Sequence, residues 1–392
     1  MSLMTPAAAE HRTDVGGNAD PLAPYDAVLF MSFGGPEAPE DVVPFLRRVT
    51  AGRGIPDERL EEVGEHYYLF GGKSPINDLN LAMLADLTAE LRARGIDAPI
   101  HWGNRNWDPD GIDVLRRMYD DGARRVLMIV TSAYGSYSGC RQYRQDVGRY
   151  VPELVAEGRP VVIDKVRPYF NDPGFVEANV DAVVDSMREL GGEPHLMFVT
   201  HSIPDAMELA SGRMTPASYA EQHEEVARLV AAAAGSRLGR ELTYSLTYCS
   251  RSGSPHTPWL EPDVNDALEQ FAADGGTSVV VSPIGFISDH MEVAYDLDTE
   301  AKETAENLGL GFARAATAGP HPAFISGLVD LLLDRAAEAR GVPENGEGRR
   351  RVVGSYPAWA SECAVGCCAV RDGFDDGKLA LCAAPGDVVT PR

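Results

Sequence analysis

The sequence contains no hydrophobic run long enough to cross a lipid bilayer, which takes about 20 apolar residues in a helix. Its longest apolar runs, such as residues 126–130, have the length of a buried strand. The first 24 residues lack the basic start and apolar centre of a secretion signal, so we expect residues 1–24 to be a disordered leader. We therefore expect a cytoplasmic protein without a membrane span.

Positive charge is also scarce. The chain has 35 Lys and Arg against 59 Asp and Glu, which gives a formal net charge of −24. Nucleic-acid-binding proteins need basic surfaces to neutralise phosphates, and anionic lipid surfaces attract the same side chains. The charge balance therefore argues against a nucleic-acid or lipid-surface partner.

Two common catalytic motifs are missing as well. The segment FGGKSPI at 70–76 contains Gly-Lys-Ser without the glycine spacing of a nucleotide-binding P-loop. Ser202 follows an apolar run but is not embedded in the G-x-S-x-G turn of hydrolases. The sequence therefore favours neither a P-loop enzyme nor a serine hydrolase.

What the sequence does contain is a regular alternation of strand-like and helical segments. The segments 27–33, 125–131 and 195–200 are typical of buried strands. Residues 79–94 predict a helix with an apolar stripe of Leu81, Leu84, Leu87 and Leu91. Roughly eight such strands predict an α/β protein with two Rossmann-like domains, parallel sheets flanked by helices and a cleft between them. A closed eightfold barrel is the alternative. The domain boundaries that we predict are 25–165, 166–340 and a cysteine-bearing extension at 341–392.

A histidine and a row of carboxylates follow two of the predicted strands. His201 stands directly after the strand 195–200, where a side chain projects into the crevice of an open α/β sheet. Glu292, Asp296 and Glu300 are spaced by four residues after the strand 278–282, so one helix face would carry all three. A solvated helix face is the ordinary interpretation, but like charges at this spacing repel. Oxygen ligands beside one imidazole instead suit the transient handling of a cation such as Fe²⁺.

Glycine- and aromatic-rich loops flank the same crevice. Residues 33–36, 67–76 and 132–138 combine aromatic rings, glycines and hydroxyl groups. Such a lining suits a flat apolar ligand with polar substituents.

Five motifs together resemble the ferrochelatase family, over a match from about Asp26 to Ala337. They are FMSFGGP, FGGKSPI, THSIP, YCSRSGSPHTPWLEPDV and FISDHMEVAYDLDTEA. The resemblance implies two similar chelatase-type domains of Rossmann type. It also implies that His201 and Glu292 bind the incoming Fe²⁺ and accept the pyrrole protons, while Asp296 and Glu300 guide metal or protons. The porphyrin-binding positions that it implies are Phe33, Arg53, Tyr67, Ser74 and Tyr143, with Arg53 as a propionate partner and Phe33 where some relatives have an axial tyrosine.

The substrate that we expect is coproporphyrin III, which carries four propionates and would give coproheme. The acidic chain and the SYSGC segment at 136–140 resemble actinobacterial-type members with this substrate. Insertion of iron into protoporphyrin IX, with two propionates, is one alternative. A non-catalytic tetrapyrrole-binding or iron-sensing protein of the same fold is the other. We expect a monomer.

The six cysteines are unevenly distributed, since four of them lie within the last 30 residues. Such late clustering favours metal ligation over core packing in a reducing compartment. Some ferrochelatases hold a [2Fe–2S] cluster with one internal cysteine and three near the carboxyl terminus. The resemblance implies Cys140, Cys363, Cys367 and Cys368 as its ligands, with Cys382 as a substitute for one of the last three. Zinc on the same thiolates is the alternative, and Cys249 is expected to be a packing residue.

Overall fold

Two open parallel sheets form the framework of the protein. The computed structural model describes residues 20–52, 54–252, 256–342, 351–364, 366–371, 374 and 376–381. The first sheet has the order β2-β1-β3-β4 and the second the order β6-β5-β7-β8, so both halves repeat one topology. The strands are β1 Ala27–Ser32, β2 Ile100–Asn104, β3 Arg125–Val130, β4 Val162–Lys165, β5 His195–His201, β6 Tyr244–Cys249, β7 Ser278–Ser282 and β8 Gly311–Arg314.

Helices cover the faces of these sheets. None of the described helices is both long and apolar enough to cross a membrane. Two short π-helical segments, Tyr137–Arg141 and Asp296–Ala301, interrupt the α-helical pattern. The α-helices are α1 Val42–Val49, α2 Asp57–Tyr68, α3 Ile76–Ala93, α4 Gly111–Asp120, α5 Gln142–Ala156, α6 Pro173–Leu190, α7 Asp205–Ser211, α8 Tyr219–Leu238, α9 Val264–Ala273, α10 Met291–Tyr295, α11 Lys302–Asn307 and α12 Pro322–Ala339.

The strands are apolar along their length because helices pack on both faces of each sheet. Every residue of β1 is buried, and five of the six in β3 are buried. This arrangement confirms the prediction of a Rossmann-like α/β fold with parallel sheets. The closed barrel is wrong, because each group of four strands ends in two open edges.

The helix stripes were predicted with mixed success. In α12 the apolar stripe of Ile325, Leu328, Leu331 and Leu332 is fully buried. In α3 Leu87 and Leu91 are buried together with Met83, whereas Leu81 is 44% exposed. The buried face of α3 is thus rotated towards Met83, because α3 packs against α12 rather than over a broad sheet surface.

Three elements had no clear signal in the sequence. Helix α2 packs mainly against α1 and buries little besides Leu60 and Gly64, so its hydrophobic periodicity is weak. Helix α5 buries polar side chains, among them Arg144 and Gln145, which hides its apolar face. Strand β8 lies at an edge of the second sheet, and its four residues are only partly buried.

The last strand of the first sheet ends at Lys165, and the first strand of the second sheet begins at His195. The domain boundary at residue 165 stays a prediction. Residues 1–19 of the expected leader lie outside the described residues. Leu22, placed in that leader by the sequence, is 1% exposed and packs in the main core. The folded part therefore reaches back beyond residue 25.

The carboxyl-terminal extension is docked along α5 in the first half and against α8 in the second half. The backbone N–H of Leu381 donates to the carbonyl oxygen of Arg144 at 2.8 Å. A Cβ placed on Gly148 would lie 2.0 Å from the carbonyl oxygen of Leu379, so the extension touches the helix backbone itself. On the second half, the hydroxyl of Ser355 donates to Glu225 at 2.8 Å.

Substitution of Gly148 by alanine should detach this extension from α5. The added methyl group has no space beside Leu379, and overpacking of this kind costs about 1 to 3 kcal/mol. We expect faster proteolytic cleavage around residues 376–381, measured by mass spectrometry. Gly64→Ala is the matched control, because its Cβ would meet Tyr68 at an ordinary 3.4 Å inside α2. Equal cleavage rates in both variants would contradict the docking.

Candidate metal-insertion site

His201 lies at the carboxyl end of β5, the strand that pairs with both β6 and β7. Its Nδ1 is 2.5 Å from the carbonyl oxygen of Ser202. A carbonyl oxygen only accepts, so Nδ1 carries the proton in this contact and donates it. The lone pair of the neutral ring is therefore on Nε2, which faces the cleft.

Glu292 stands opposite this nitrogen, in the first turn of α10. Its Oε2 is 3.8 Å from Nε2 of His201, and the two side chains are 45% and 35% exposed. The distance is too long for a hydrogen bond. Two ligands that each lie about 2.1 Å from one metal ion are about 3 to 4 Å apart. The pair therefore has the separation and the solvent access that a shared divalent ion needs.

The acidic row beyond Glu292 does not lie on one continuous α-helix. After α10 the chain widens into the π-helix Asp296–Ala301 and then resumes as α11, so the expected straight row is wrong. Glu292 and Glu300 nevertheless both raise the pKa of Asp296, which means that the three carboxylates still lie close together. Glu300 is exposed at the surface end of this row.

Asp296 has the most perturbed carboxylate of the row. Burial, and then the charge of Glu292, raise its pKa from 3.8 to about 7. The hydroxyl of Ser250 donates to its Oδ2, and the Cys249 thiol also bonds to this carboxylate. Ser250 has a φ of 61°, which is uncommon for a residue with a side chain. Ser250 has no local signal in the sequence, although the register that pairs His201 with Cys249 places it beside the site.

The first half of the protein contributes an aromatic wall, which we define as Phe33, Phe45, Tyr67 and Trp107. The rings of Phe33, Tyr67 and Trp107 lie 6.3, 6.2 and 6.1 Å from the ring of Phe45. Burial and the nearby charge of Glu292 raise the pKa of Tyr67, so its hydroxyl stays protonated. Phe33 and Tyr67 were expected here, whereas Phe45 and Trp107 were missed.

A ring pair joins the two sides of the cleft. His66 on α2 stacks on Tyr295 of α10 with ring centres 3.9 Å apart and planes inclined by 7°. Tyr67 of the aromatic wall and Glu292 are therefore held on neighbouring, contacting helices.

Two of the other expected porphyrin contacts, Ser74 and Tyr143, are not brought to the open cleft. Ser74 is 1% exposed and packs against Gly35, and Tyr143 is buried beneath the Arg105 guanidinium at 4.9 Å. Arg53 lies outside the described residues. The substrate contacts of all three stay predictions.

Four cysteines from distant parts of the sequence meet at the π-helix Tyr137–Arg141. The sulfur atoms of Cys367 and Cys368 are 3.6 Å apart, and Cys363 is hydrogen-bonded to both Cys140 and Cys367. Hydrogen bonds from Cys363 lower the pKa of Cys140 and of Cys367. The hydrogen bond to Cys367, and then burial, raise the pKa of Cys368. Cys382 lies outside the described residues.

The four thiol groups contact one another in pairs and do not surround one central point. Among the residues that the structure describes, no group of three or more His, Cys, Asp or Glu side chains is arranged to hold a metal ion. A [2Fe–2S] cluster distributes four thiolates over two iron atoms, so its ligands need not surround a single point.

Substitution of Asp296 by asparagine should remove a pH-dependent loss of stability. The folded-state pKa of about 7 exceeds the ordinary 3.8, so the folded protein holds the proton more tightly than the unfolded chain. In the wild type, the Asp296 carboxyl should therefore lower the free energy of unfolding as pH rises from about 4 to about 7. Urea denaturation should show Asp296→Asn gaining stability relative to the wild type across this window. A difference that does not change with pH would contradict the raised pKa.

Comparison with known proteins matches almost the whole described chain. The profile described as Ferrochelatase matches residues 25–336. A protein of Streptomyces coelicolor named coproporphyrin III ferrochelatase is 52% identical over 358 residues, which cover 89% of this chain and 94% of that protein. A protein of the same name from Leifsonia xyli is 47% identical over 401 residues, covering 96% and 98%.

Among solved structures, SirB from Bacillus subtilis with Fe³⁺ aligns with a TM-score of 0.47 and 12% identity, covering 80% of this chain and 97% of that one. A likeness at this level adds nothing to the fold described above. The profile match and the identities agree with a cleft that pairs an imidazole and a carboxylate against an aromatic wall. The chain belongs to the ferrochelatase family.

Proposed function

We propose that this ferrochelatase inserts Fe²⁺ into coproporphyrin III, forms coproheme and releases two protons. The observation that carries the proposal is the pair of His201 Nε2 and the Glu292 carboxylate, 3.8 Å apart and opposite the aromatic wall. The substrate assignment is supported by the Streptomyces and Leifsonia relatives that bear this name.

The proton balance of the reaction matches the groups at the site. Two pyrrole N–H bonds break as iron bonds to the four ring nitrogens, and the two protons leave through bases. His201 accepts one at Nε2, because its Nδ1 already holds a proton against Ser202. The Glu292 carboxylate accepts the other. Asp296, with a pKa of about 7, exchanges protons near neutrality, and the exposed Glu300 passes them to solvent.

The partly exposed rings of the aromatic wall, Phe33, Tyr67 and Trp107, pack on the buried ring of Phe45 and supply the binding surface for the macrocycle. Flat rings stack well on aromatic faces, and burial of apolar area drives this contact. Phe33 carries no oxygen, so this position cannot ligate iron. Tyr67 keeps its phenol proton because its pKa is raised, so it offers the substrate a neutral hydroxyl. Metal contact therefore belongs to His201 and Glu292 on the opposite side.

The four thiols at the π-helix fit a [2Fe–2S] cluster held by Cys140, Cys363, Cys367 and Cys368. The donor chemistry is that of such a cluster, and the positive charges of Lys165, Arg144 and Arg141 favour sulfur in its anionic form. When bound, the cluster would supply an iron–sulfur cross-link that ties the extension to the first half. The bonds of Arg141 to the Cys367 carbonyl oxygen at 3.1 Å and of Leu381 to Arg144 orient the same segment.

We place the active protein in the cytoplasm, as a monomer of two chelatase-type domains joined near residue 165. A reducing compartment keeps thiols available as ligands. The cleft is complete within one chain, since α2 comes from one half and α10 from the other.

Iron insertion should depend on His201 and not on a histidine elsewhere in the same strand. Anaerobic protein supplied with Fe²⁺ and coproporphyrin III should form coproheme, measured by its absorption spectrum. His201→Ala should lower kcat/KM by about 10²- to 10⁴-fold, because it removes both a ligand and a proton acceptor. His195→Ala is the control, since His195 lies at the opposite end of β5 and bonds to Thr243 and Ser245.

Two outcomes would contradict this proposal. Equal insertion rates for His201→Ala and wild type would leave a tetrapyrrole-binding protein without catalysis. Faster turnover of protoporphyrin IX than of coproporphyrin III would show that the substrate is protoporphyrin IX, which carries two propionates.

The cysteine assignment is tested on the isolated protein without an activity assay. Cys140→Ser should lose visible absorbance above 350 nm, roughly where thiolate-to-iron bands lie, together with iron and acid-labile sulfide. Cys249→Ser should retain them, because Cys249 bonds to Ser250 and Asp296 at the cleft. If Cys363→Ser retains the absorbance, iron and sulfide and Cys382→Ser loses them, Cys382 rather than Cys363 is the cluster ligand. Bound zinc without sulfide would support the zinc alternative.

A further inference from the structure

A chain of buried hydrogen bonds lies behind His201, on the side away from the cleft. The hydroxyl oxygen of Tyr219 is 3.0 Å from the carbonyl oxygen of His201 and 2.8 Å from Oγ1 of Thr200. Oγ1 of Thr200 is in turn 2.9 Å from Nε2 of His223. Thr200 and His223 are fully buried, and Tyr219 is 7% exposed. None of these three side chains has a part in the insertion chemistry described above.

The protons in this chain can be assigned from the acceptors. Nδ1 of His223 is 2.7 Å from the carbonyl oxygen of Tyr219, so Nδ1 carries the proton. Burial lowers the pKa of His223 to about 3, so the ring is neutral and Nε2 must accept the proton of Thr200. Thr200 thus gives its own hydroxyl proton to His223. The hydroxyl proton of Tyr219 is therefore the one proton available to the two remaining acceptors, the His201 carbonyl oxygen and Thr200 Oγ1.

The His201 carbonyl belongs to the peptide unit that precedes Ser202. The next carbonyl along, that of Ser202, accepts from Nδ1 of His201 at 2.5 Å. The orientation of this short backbone segment therefore sets the rotation of the imidazole ring, and with it the direction of Nε2. A donor that holds the first carbonyl restricts the second one as well.

The same turn of α8 also reaches the other half of the protein. Gln222 exchanges two hydrogen bonds with the backbone of Gly135: its Nε2 donates to the carbonyl oxygen at 3.0 Å, and its Oε1 accepts from the N–H at 2.7 Å. The ring of Tyr134 stacks on His223 with centres 3.6 Å apart. A Cβ on Gly135 would lie 2.1 Å from the Trp359 ring, so the extension covers this contact.

We propose that Tyr219 is a positioning residue for His201, and that the first turn of α8 braces it against the loop after β3. Thr200 and His223 fix the Tyr219 hydroxyl, and Gln222 fixes the turn to Gly135. The inference rests on the proposed iron insertion, because it concerns how the imidazole is aimed at the incoming metal. Tyr219 touches no substrate and acts through the backbone of His201.

Tyr219→Phe tests the proposal, with Tyr169→Phe as a matched control. Tyr169 is also a buried tyrosine whose hydroxyl donates to a strand carbonyl, that of Val130 at 2.7 Å, in the other sheet. In coproheme formation from Fe²⁺ and coproporphyrin III, Tyr219→Phe should lower kcat about tenfold and leave the KM for porphyrin unchanged, as expected when a reacting group is misplaced. Tyr169→Phe should change neither constant, although both variants lose a buried, hydrogen-bonded hydroxyl group.

A second measurement separates positioning from a general loss of stability. ¹⁵N NMR of the histidine side chains should show a weakened Nδ1–H signature for His201 in Tyr219→Phe and the wild-type signature in Tyr169→Phe. Thr200→Val keeps the side-chain shape and leaves the Tyr219 proton to the His201 carbonyl alone, so it should keep the wild-type kcat and the wild-type Nδ1–H signature. A tenfold loss of kcat in Thr200→Val would count against the inference even if Tyr219→Phe does not fold. Equal kcat and equal His201 spectra in the tyrosine variants would overturn the inference. An inactive wild type would instead overturn the proposed function.

Discussion

The parallel hydrogen bonding of β5 between β6 and β7 is the constraint on which the rest of the site depends. β5 is central in its sheet, so both of its edges are paired and its register is fixed from two sides. That register places His201 opposite Cys249, and one further residue brings Ser250 to Asp296. A shift by one residue would turn His201 to the other face of the sheet and separate all of these contacts. The chemistry therefore depends on backbone bonding before any side chain contributes.

Electrostatic repulsion is concentrated along the acidic row, and the chain retains it. Asp296 lies between Glu292 and Glu300, both of which oppose its ionisation, and burial adds to that effect. A surface helix would disperse such charges, whereas here the π-helix holds them together beside a buried thiol and a serine with positive φ. Widened helical turns of this kind often mark functional sites. An incoming divalent cation or a proton would relieve this repulsion, which is the physical basis of the proposed path for metal and protons.

The sequence allowed the strands and the approach of His201 to Glu292 to be predicted, because these depend on local patterns. Buried parallel strands are continuous apolar runs, and His201 and Glu292 follow such runs. The aromatic wall could be foreseen only in part. Phe45 and Trp107 come from a helix and a loop that meet when β1 and β2 pair, which no local pattern reports. The same limit applies to Ser74 and Tyr143, whose burial depends on Gly35 and Arg105 from other segments.

The position of the cysteines links the extension to the cleft in physical terms. Cys140 follows directly from the loop whose Gly135 is held by Gln222, and Trp359 closes over that glycine from the extension. On the loop and on the extension alike, only a few residues separate the contact at the thiols from the contact between Gly135 and Trp359. A bond that fixes the extension at Cys140 would therefore also keep Trp359 in place. A loosened extension would expose the Gly135–Gln222 bonds to water, which competes for buried hydrogen bonds. The turn of α8 that carries Tyr219 would then lose its support from the loop after β3. A cross-link at the thiols would therefore add to the proposed positioning of His201 from a distance.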